Sequence, residues 1–150
     1  MRFVFLDKIT HLKKMKYING LKIISFEETF LESPNYPDGI FPPTLIVESL
    51  MQLFGFLIYY STDFTSHPIF DEISEIKILN SIGMGNKIST HCILNNISHD
   101  NANFNAIAKT NQHTLLEIKN CNAKLHPLDV VNIEKIKAEF NTRTISAKIF

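Results

Sequence analysis

From Thr44 to Tyr60 the chain runs through 17 residues that are apolar at nearly every position, interrupted by Glu48 and, four residues on, Gln52. No other stretch restricts the fold as much. A helix that is apolar on nearly every face must be surrounded by other structure rather than lie on a surface. It is shorter than the roughly 20 residues that cross a bilayer, and a carboxylate with an amide one turn apart is costly in lipid. The expectation is therefore a buried central helix and no membrane span. Pro42 and Pro43 suit its start, where missing N–H groups cost nothing.

Strand-like runs rich in Phe, Val, Ile and Tyr flank this helix, at residues 3–10 and 15–26 before it and at 73–79, 87–97, 104–110 and 114–125 after it. A loop from Ser33 to Pro43 holds four prolines and a glycine and must deliver the chain into the helix. Residues 61–70 read as a linker. Turns fall at Gly83-Met84-Gly85-Asn86, at 98–103 and at Asn111-Gln112. After Pro127, the spacing of Val130, Ile133, Ile136 and Phe140 predicts a short amphipathic helix and a tail. Two strands, one long buried helix and four further strands describe an α+β layout, an antiparallel sheet wrapped around a helix. The expected division is residues 1–126 for this domain and 127–150 for a C-terminal extension.

A chain of 150 residues and 17.2 kDa is long enough for one domain with a real core. Fifteen basic residues cancel fifteen acidic ones, which excludes the basic excess that nucleic-acid binding demands. Cys92 and Cys121 form neither a disulfide framework nor a zinc site, so buried reduced thiols in a reducing, cytoplasmic setting are expected. Asp7 interrupts the N-terminus before any signal-like apolar stretch, so the mature chain is expected to begin at Met1. No cofactor or metal is called for.

The residues themselves resemble the bacterial beta-hydroxyacyl-acyl-carrier-protein dehydratases, enzymes of fatty acid synthesis with the hotdog fold. Phe3-Val4-Phe5-Leu6-Asp7-Lys8 is similar to the family's opening strand, and Lys22, Ser25, Glu28 and Phe30 fall on its second strand and exit. Ile40-Phe41-Pro42 followed by Leu45-Ile46-Val47-Glu48-Ser49-Leu50-Met51-Gln52 and Gly55 is similar to the family's helix signature. Ile78-Leu79-Asn80 and Met84-Gly85-Asn86 fit a later strand and turn. The resemblance covers about residues 3–126. It also bears on Asn19-Gly20, which local turn chemistry reads as a hairpin. The ungapped match instead puts the hairpin at Lys13-Lys14-Met15 and leaves Gly20 inside the second strand, as a bulge or close-packing site.

The resemblance implies dehydration of a 3-hydroxyacyl thioester. That reaction requires a base on the proton alpha to the thioester and donors on the developing oxyanion. In the family a loop His is the base, a backbone N–H at the helix start polarises the carbonyl, and a helix Glu or Asp protonates the departing hydroxyl. Glu48 stands at the position of that carboxylate and is the acid-base candidate. Counting back from Glu48 without a gap puts Pro34 at the histidine position, and a one-residue gap that matches Tyr36-Pro37 with the family's Phe-Pro puts Asn35 there. Pro43 replaces the family's glycine and has no N–H. Dehydratase activity is therefore expected to be weak or absent. Asn35 is carried as a candidate hydrogen-bonding residue, and Tyr36, Pro43 and Gln52 as candidate substrate-binding residues.

His11, His67, His91, His99, His113 and His126 lie in a linker, strands or turns and read as surface or edge residues, with His67 placed to reach a tunnel mouth. Three functions stay open: a divergent dehydratase acting on or binding an acyl thioester, carried by acyl carrier protein or coenzyme A; a non-catalytic acyl-binding subunit; and a hotdog thioesterase. A homodimer or a heterodimer with a paralogue is expected, higher assembly being open. The neutral total also hides a pattern. Residues 1–22 carry six basic and one acidic side chain, and residues 23–76 nine acidic and no basic ones. Residues 77–150 carry nine basic and five acidic. Lys13, Lys14 and Lys16 are accordingly candidates for docking an acidic carrier protein.

Overall fold

The computed structural model describes residues 5–25 and 39–150. Asn35, Tyr36 and most of the proline-rich loop lie outside the described residues. The first hairpin joins β1 (Lys8–Lys13) to β2 (Tyr17–Ile23), closed by the Lys16 N–H donating to the Lys13 carbonyl at 3.0 Å, with Met15 at φ 62°. The turn therefore sits at Lys14-Met15-Lys16 and not at Asn19-Gly20. Gly20 stays in the strand because the core leaves no room for more: a Cβ there would lie 2.7 Å from Leu6 Cδ1 and 2.9 Å from Leu53 Cδ1.

The central helix α1 spans Pro43–Ser61, with Pro42 at its N-cap. Eleven of its 19 residues are buried, and it touches β2 and the four strands that follow it. By length and composition α1 could cross a membrane, but here its apolar faces are spent on the sheet. Phe54 stacks on Phe104 with centroids 3.8 Å apart, and Leu50, Leu53 and Leu57 are fully buried beside it.

The strands β3 (Ser66–Ile78), β4 (Lys87–Ile97), β5 (Asn101–Lys109) and β6 (Thr114–Pro127) form an antiparallel array. β3 begins well inside the stretch read as a linker. Pro68 lies within that stretch. An edge strand tolerates proline where a central one does not, and among the described residues β3 pairs with β6 alone.

The extension forms α2 (Val130–Arg143), N-capped by the Asp129 carboxylate, which accepts from the Asn132 N–H at 2.9 Å. Ile136 and Phe140 are its buried residues, and Phe140 packs on Phe56, Tyr60 and Phe64. The tail ends in β7 (Lys148–Ile149), a two-residue strand parallel to β1 that the sequence reading did not contain. Among the described residues the order is β3-β6-β5-β4-β2-β1-β7, with β3 at one edge and the short β7 at the other.

Candidate functional site

The entry to α1 is held by the Phe41 N–H, which donates to the Ile82 carbonyl at 2.7 Å, beside an Ile40–Gly83 bridge. Pro42 and Pro43 follow with no N–H, so Thr44 carries the first N–H of the helix. Residues four apart share a helical face. Thr44, Glu48 and Gln52 therefore stand one above another, and Val47 and Met51 flank them.

Val47, Glu48, Met51 and Gln52 line a groove of about 340 Å³ that is closed on the other side by His67 and Phe70 of β3. Its lining mixes apolar Val47, Met51, Pro68 and Phe70 with polar side chains, and Glu48 is its carboxylate. The Glu48 side chain is exposed and accepts a hydrogen bond from Gln52 Nε2 at 3.0 Å. Gln52 Oε1 in turn accepts from the Phe5 backbone N–H at 2.9 Å. The amide is thereby oriented with its donor toward the carboxylate, and the pair is one unit. Pro43 stands a turn and a half before Glu48 as the first residue of α1.

His67 and the Tyr59 hydroxyl share a hydrogen bond of 2.7 Å at the far end of the groove. Tyr59 is eleven residues after Glu48, which at the helical rise is roughly 16 Å along the axis. His67 is thereby held by Tyr59, about three turns along α1 from Glu48.

The three lysines divide. Lys14 Nζ reaches Asp63 Oδ1 at 2.6 Å and sits 5.8 Å from the Tyr60 ring centroid, tying the β1–β2 turn to the end of α1. Lys13 is half-buried and Lys16 is exposed on the same turn.

Elsewhere, burial pushes the Cys121 thiol up to about 12 and the Cys92 thiol well above its ordinary value. Neither is a nucleophile at neutral pH. Cys92 pairs with Ala106 on one side of β5, while Cys121 pairs with Phe104 on the other, so two strand spacings of ~4.8 Å hold them beyond disulfide reach. Among the described residues no three His, Cys, Asp or Glu side chains converge as a metal site.

Two residues that the sequence reading did not single out bear on the groove. Phe5 acts through its backbone N–H, which any residue but proline supplies, and Arg143 approaches the same segment from α2. No side-chain pattern marks either.

A seven-stranded, largely antiparallel sheet around one central helix defines a hotdog fold, and solved hotdog structures superimpose on it. The structure of smu.793 from Streptococcus mutans UA159, bound to acetyl CoA, matches at TM-score 0.66 and 9% identity over 85% of this chain and 94% of its own. A hypothetical thioesterase from Streptococcus pneumoniae TIGR4, solved with coenzyme A, matches at TM-score 0.63 and 7% identity over 80% of this chain and 85% of its own. At such identities the likeness is one of fold. Sequence goes further: the FabA-like domain matches residues 1–119, and the chain belongs to that family. Among curated relatives, the 3-hydroxyacyl-[acyl-carrier-protein] dehydratase FabZ of Nitratidesulfovibrio vulgaris (strain DSM 19637 / Miyazaki F) is 31% identical over 97 residues, which is 61% of this chain and 62% of the relative. That of Sulfurovum sp. (strain NBC37-1) is 39% identical over 62 residues, 41% of either chain. The matches thus span less than two thirds of these relatives' length.

Proposed function

We propose that this protein binds an acyl thioester along the α1 groove, with Glu48 as its acid-base group, and that it turns over as a 3-hydroxyacyl thioester dehydratase slowly or not at all. The observation that carries the reading is a groove between α1 and β3, lined by Val47, Met51 and Phe70, with a hydrogen-bonded carboxylate in it. The dehydratase names of the relatives and the acetyl CoA in a structural neighbour support an acyl thioester as the occupant.

The weak turnover follows from the helix start. Loss of one oxyanion donor costs on the order of 10²–10³ in rate, and Pro43 has no N–H to donate. The same loss favours the second reading, a non-catalytic subunit that pairs with an active paralogue. Either assembly would use β3, a 13-residue edge whose Ile69, Ile76 and Ile78 are exposed. Lys13, Lys14 and Lys16 are the proposed docking residues for an acidic carrier, and Asn35 and Tyr36 remain proposed substrate contacts. The buried free thiols suit a reducing cytoplasm.

Hydration of a short 2-enoyl thioester by wild type and by Glu48→Gln tests the catalytic half. A slow wild-type rate that Glu48→Gln abolishes is expected. Equal rates in both would remove Glu48 from the chemistry, and rapid turnover would contradict the impaired helix start. Co-purification with a complete dehydratase would favour the subunit reading.

A further inference from the structure

The candidate carboxylate does not stand alone, and its supports reach into the part of the chain beyond the family match. Glu48 is held by Gln52, and Gln52 by the N–H of Phe5. The segment Phe5-Leu6-Asp7 precedes β1, and of its peptide groups the Asp7 N–H joins the sheet, donating to the Leu21 carbonyl at 2.9 Å. Side chains do much of the remaining anchoring. The Asp7 carboxylate accepts from the Ile23 N–H at 2.5 Å. The Arg143 guanidinium, in the last turn of α2, donates to the Leu6 carbonyl and, at 3.2 Å, to the Asp7 carbonyl. Arg143 comes from outside the matched residues 1–119, and α2 is seated by Phe140 against the end of α1 itself.

We infer that Arg143 and Gln52 are positioning residues for Glu48: the C-terminal extension clamps the peptide groups next to Phe5, and Phe5 orients the Gln52 amide that holds the carboxylate. The inference rests on the reading of Glu48 as the acid-base group. A carboxylate on an exposed helical face samples several rotamers, and a fixed donor selects one of them. The donor is fixed only if its own acceptor is engaged, because a free amide rotates about its last torsion. Arg143 supplies stiffness at the far end through one guanidinium nitrogen that donates to both carbonyls. A fold that ended at β6 would hold Phe5 with fewer bonds.

The test follows the Gln52 side-chain amide by NMR in the full-length protein. In wild type, the Nε2 proton given to Glu48 is expected well separated from its geminal partner, and Glu48→Ala collapses that separation. Arg143→Met is expected to shift the pair toward the Glu48→Ala position while the rest of the spectrum shows a folded protein. Phe5→Pro, which deletes the N–H and leaves Arg143 in place, is expected to do the same, so a folding failure of one variant leaves the other decisive. Wild-type Gln52 signals in either folded variant would overturn the inference. Where the wild type hydrates an enoyl thioester, Gln52→Met and Arg143→Met should each lower kcat about 10-fold, with KM unchanged in Arg143→Met, which lies outside the groove, since small misplacements of a catalytic group cost up to about 10²-fold. The double variant should lose little beyond either single one, whereas multiplied losses would contradict a shared path. A wild type with no turnover removes the catalytic reading and leaves the amide signals to decide the positioning.

Discussion

Gly20 and Leu53 meet where β2 passes beneath α1, so closely that a methyl group on Gly20 would stand 2.9 Å from Leu53 Cδ1. Leu6 and Thr90 close the other sides at 2.7 and 3.0 Å, and Leu6 and Leu53 are fully buried. Gly20→Val must push the helix or its neighbours aside. We predict a loss of about 1–3 kcal/mol, the usual cost of overpacking a filled core. Urea unfolding checks it, and an unchanged midpoint would show that the helix has room to shift.

Gly20 also shows where local signals and tertiary packing part. Asn-Gly is a strong turn signal, yet the register Ile18↔Leu12 and Gly20↔Ile9 keeps it in mid-strand. The ungapped match to the family's strands saw this, because the hairpin had to fall where Asp7 and Phe30 were both kept in place. α1 and β4 were legible from composition alone: nearly unbroken hydrophobicity marks one, and β-branched residues between turn residues mark the other. β3 was half hidden behind Pro68, and β7 was invisible, since a two-residue strand has no period to detect. At the site, the four-residue spacing of Glu48 and Gln52 put them on one helical face in advance. What supports them was not legible, because the Phe5 backbone N–H and an arginine that bonds the neighbouring Leu6 and Asp7 carbonyls leave no local trace.

Both cysteines should be inert in the native protein. Their side chains are fully buried and their thiols are held protonated, so alkylation at neutral pH should await unfolding. Mass spectrometry after iodoacetamide treatment, with and without denaturant, is expected to show no labelled native protein and two labels in the unfolded chain. Native labelling would mean that the sheet opens at β4 or β6.

His91 should make stability depend on pH. Burial, with the Lys109 charge second, holds its imidazole below the ordinary value of 6.5, while Asn19 Oδ1 and the Tyr17 ring flank it. The unfolded chain takes up the proton before the native state does. Stability is therefore full above the unfolded value and falls as pH drops from there toward the lower folded value. His91→Gln should flatten urea midpoints measured from about pH 7.5 to about pH 5, across the range where histidine titrates. The same slope in both proteins would assign it to other groups.

The lysines can be separated by their contacts. Lys14→Glu breaks the Asp63 pair and places a carboxylate beside the Tyr60 ring, so it should cost some stability, within the ~0.2–1 kcal/mol of exposed pairs. Lys16→Glu should leave stability alone. If the turn docks an acidic carrier protein, Lys13→Glu with Lys16→Glu weakens binding, and raising salt weakens it further. Binding indifferent to both changes would end the docking proposal.

The most direct test is whether an acyl thioester occupies the groove beside Glu48. The chain has four methionines, of which Met51 lines that groove while Met15 lies on the distant β1–β2 turn. Titration of methyl-labelled protein with an acyl thioester should therefore move the Met51 methyl resonance and leave that of Met15 in place. A Met51 signal that stays put while the ligand saturates the protein would contradict that occupancy.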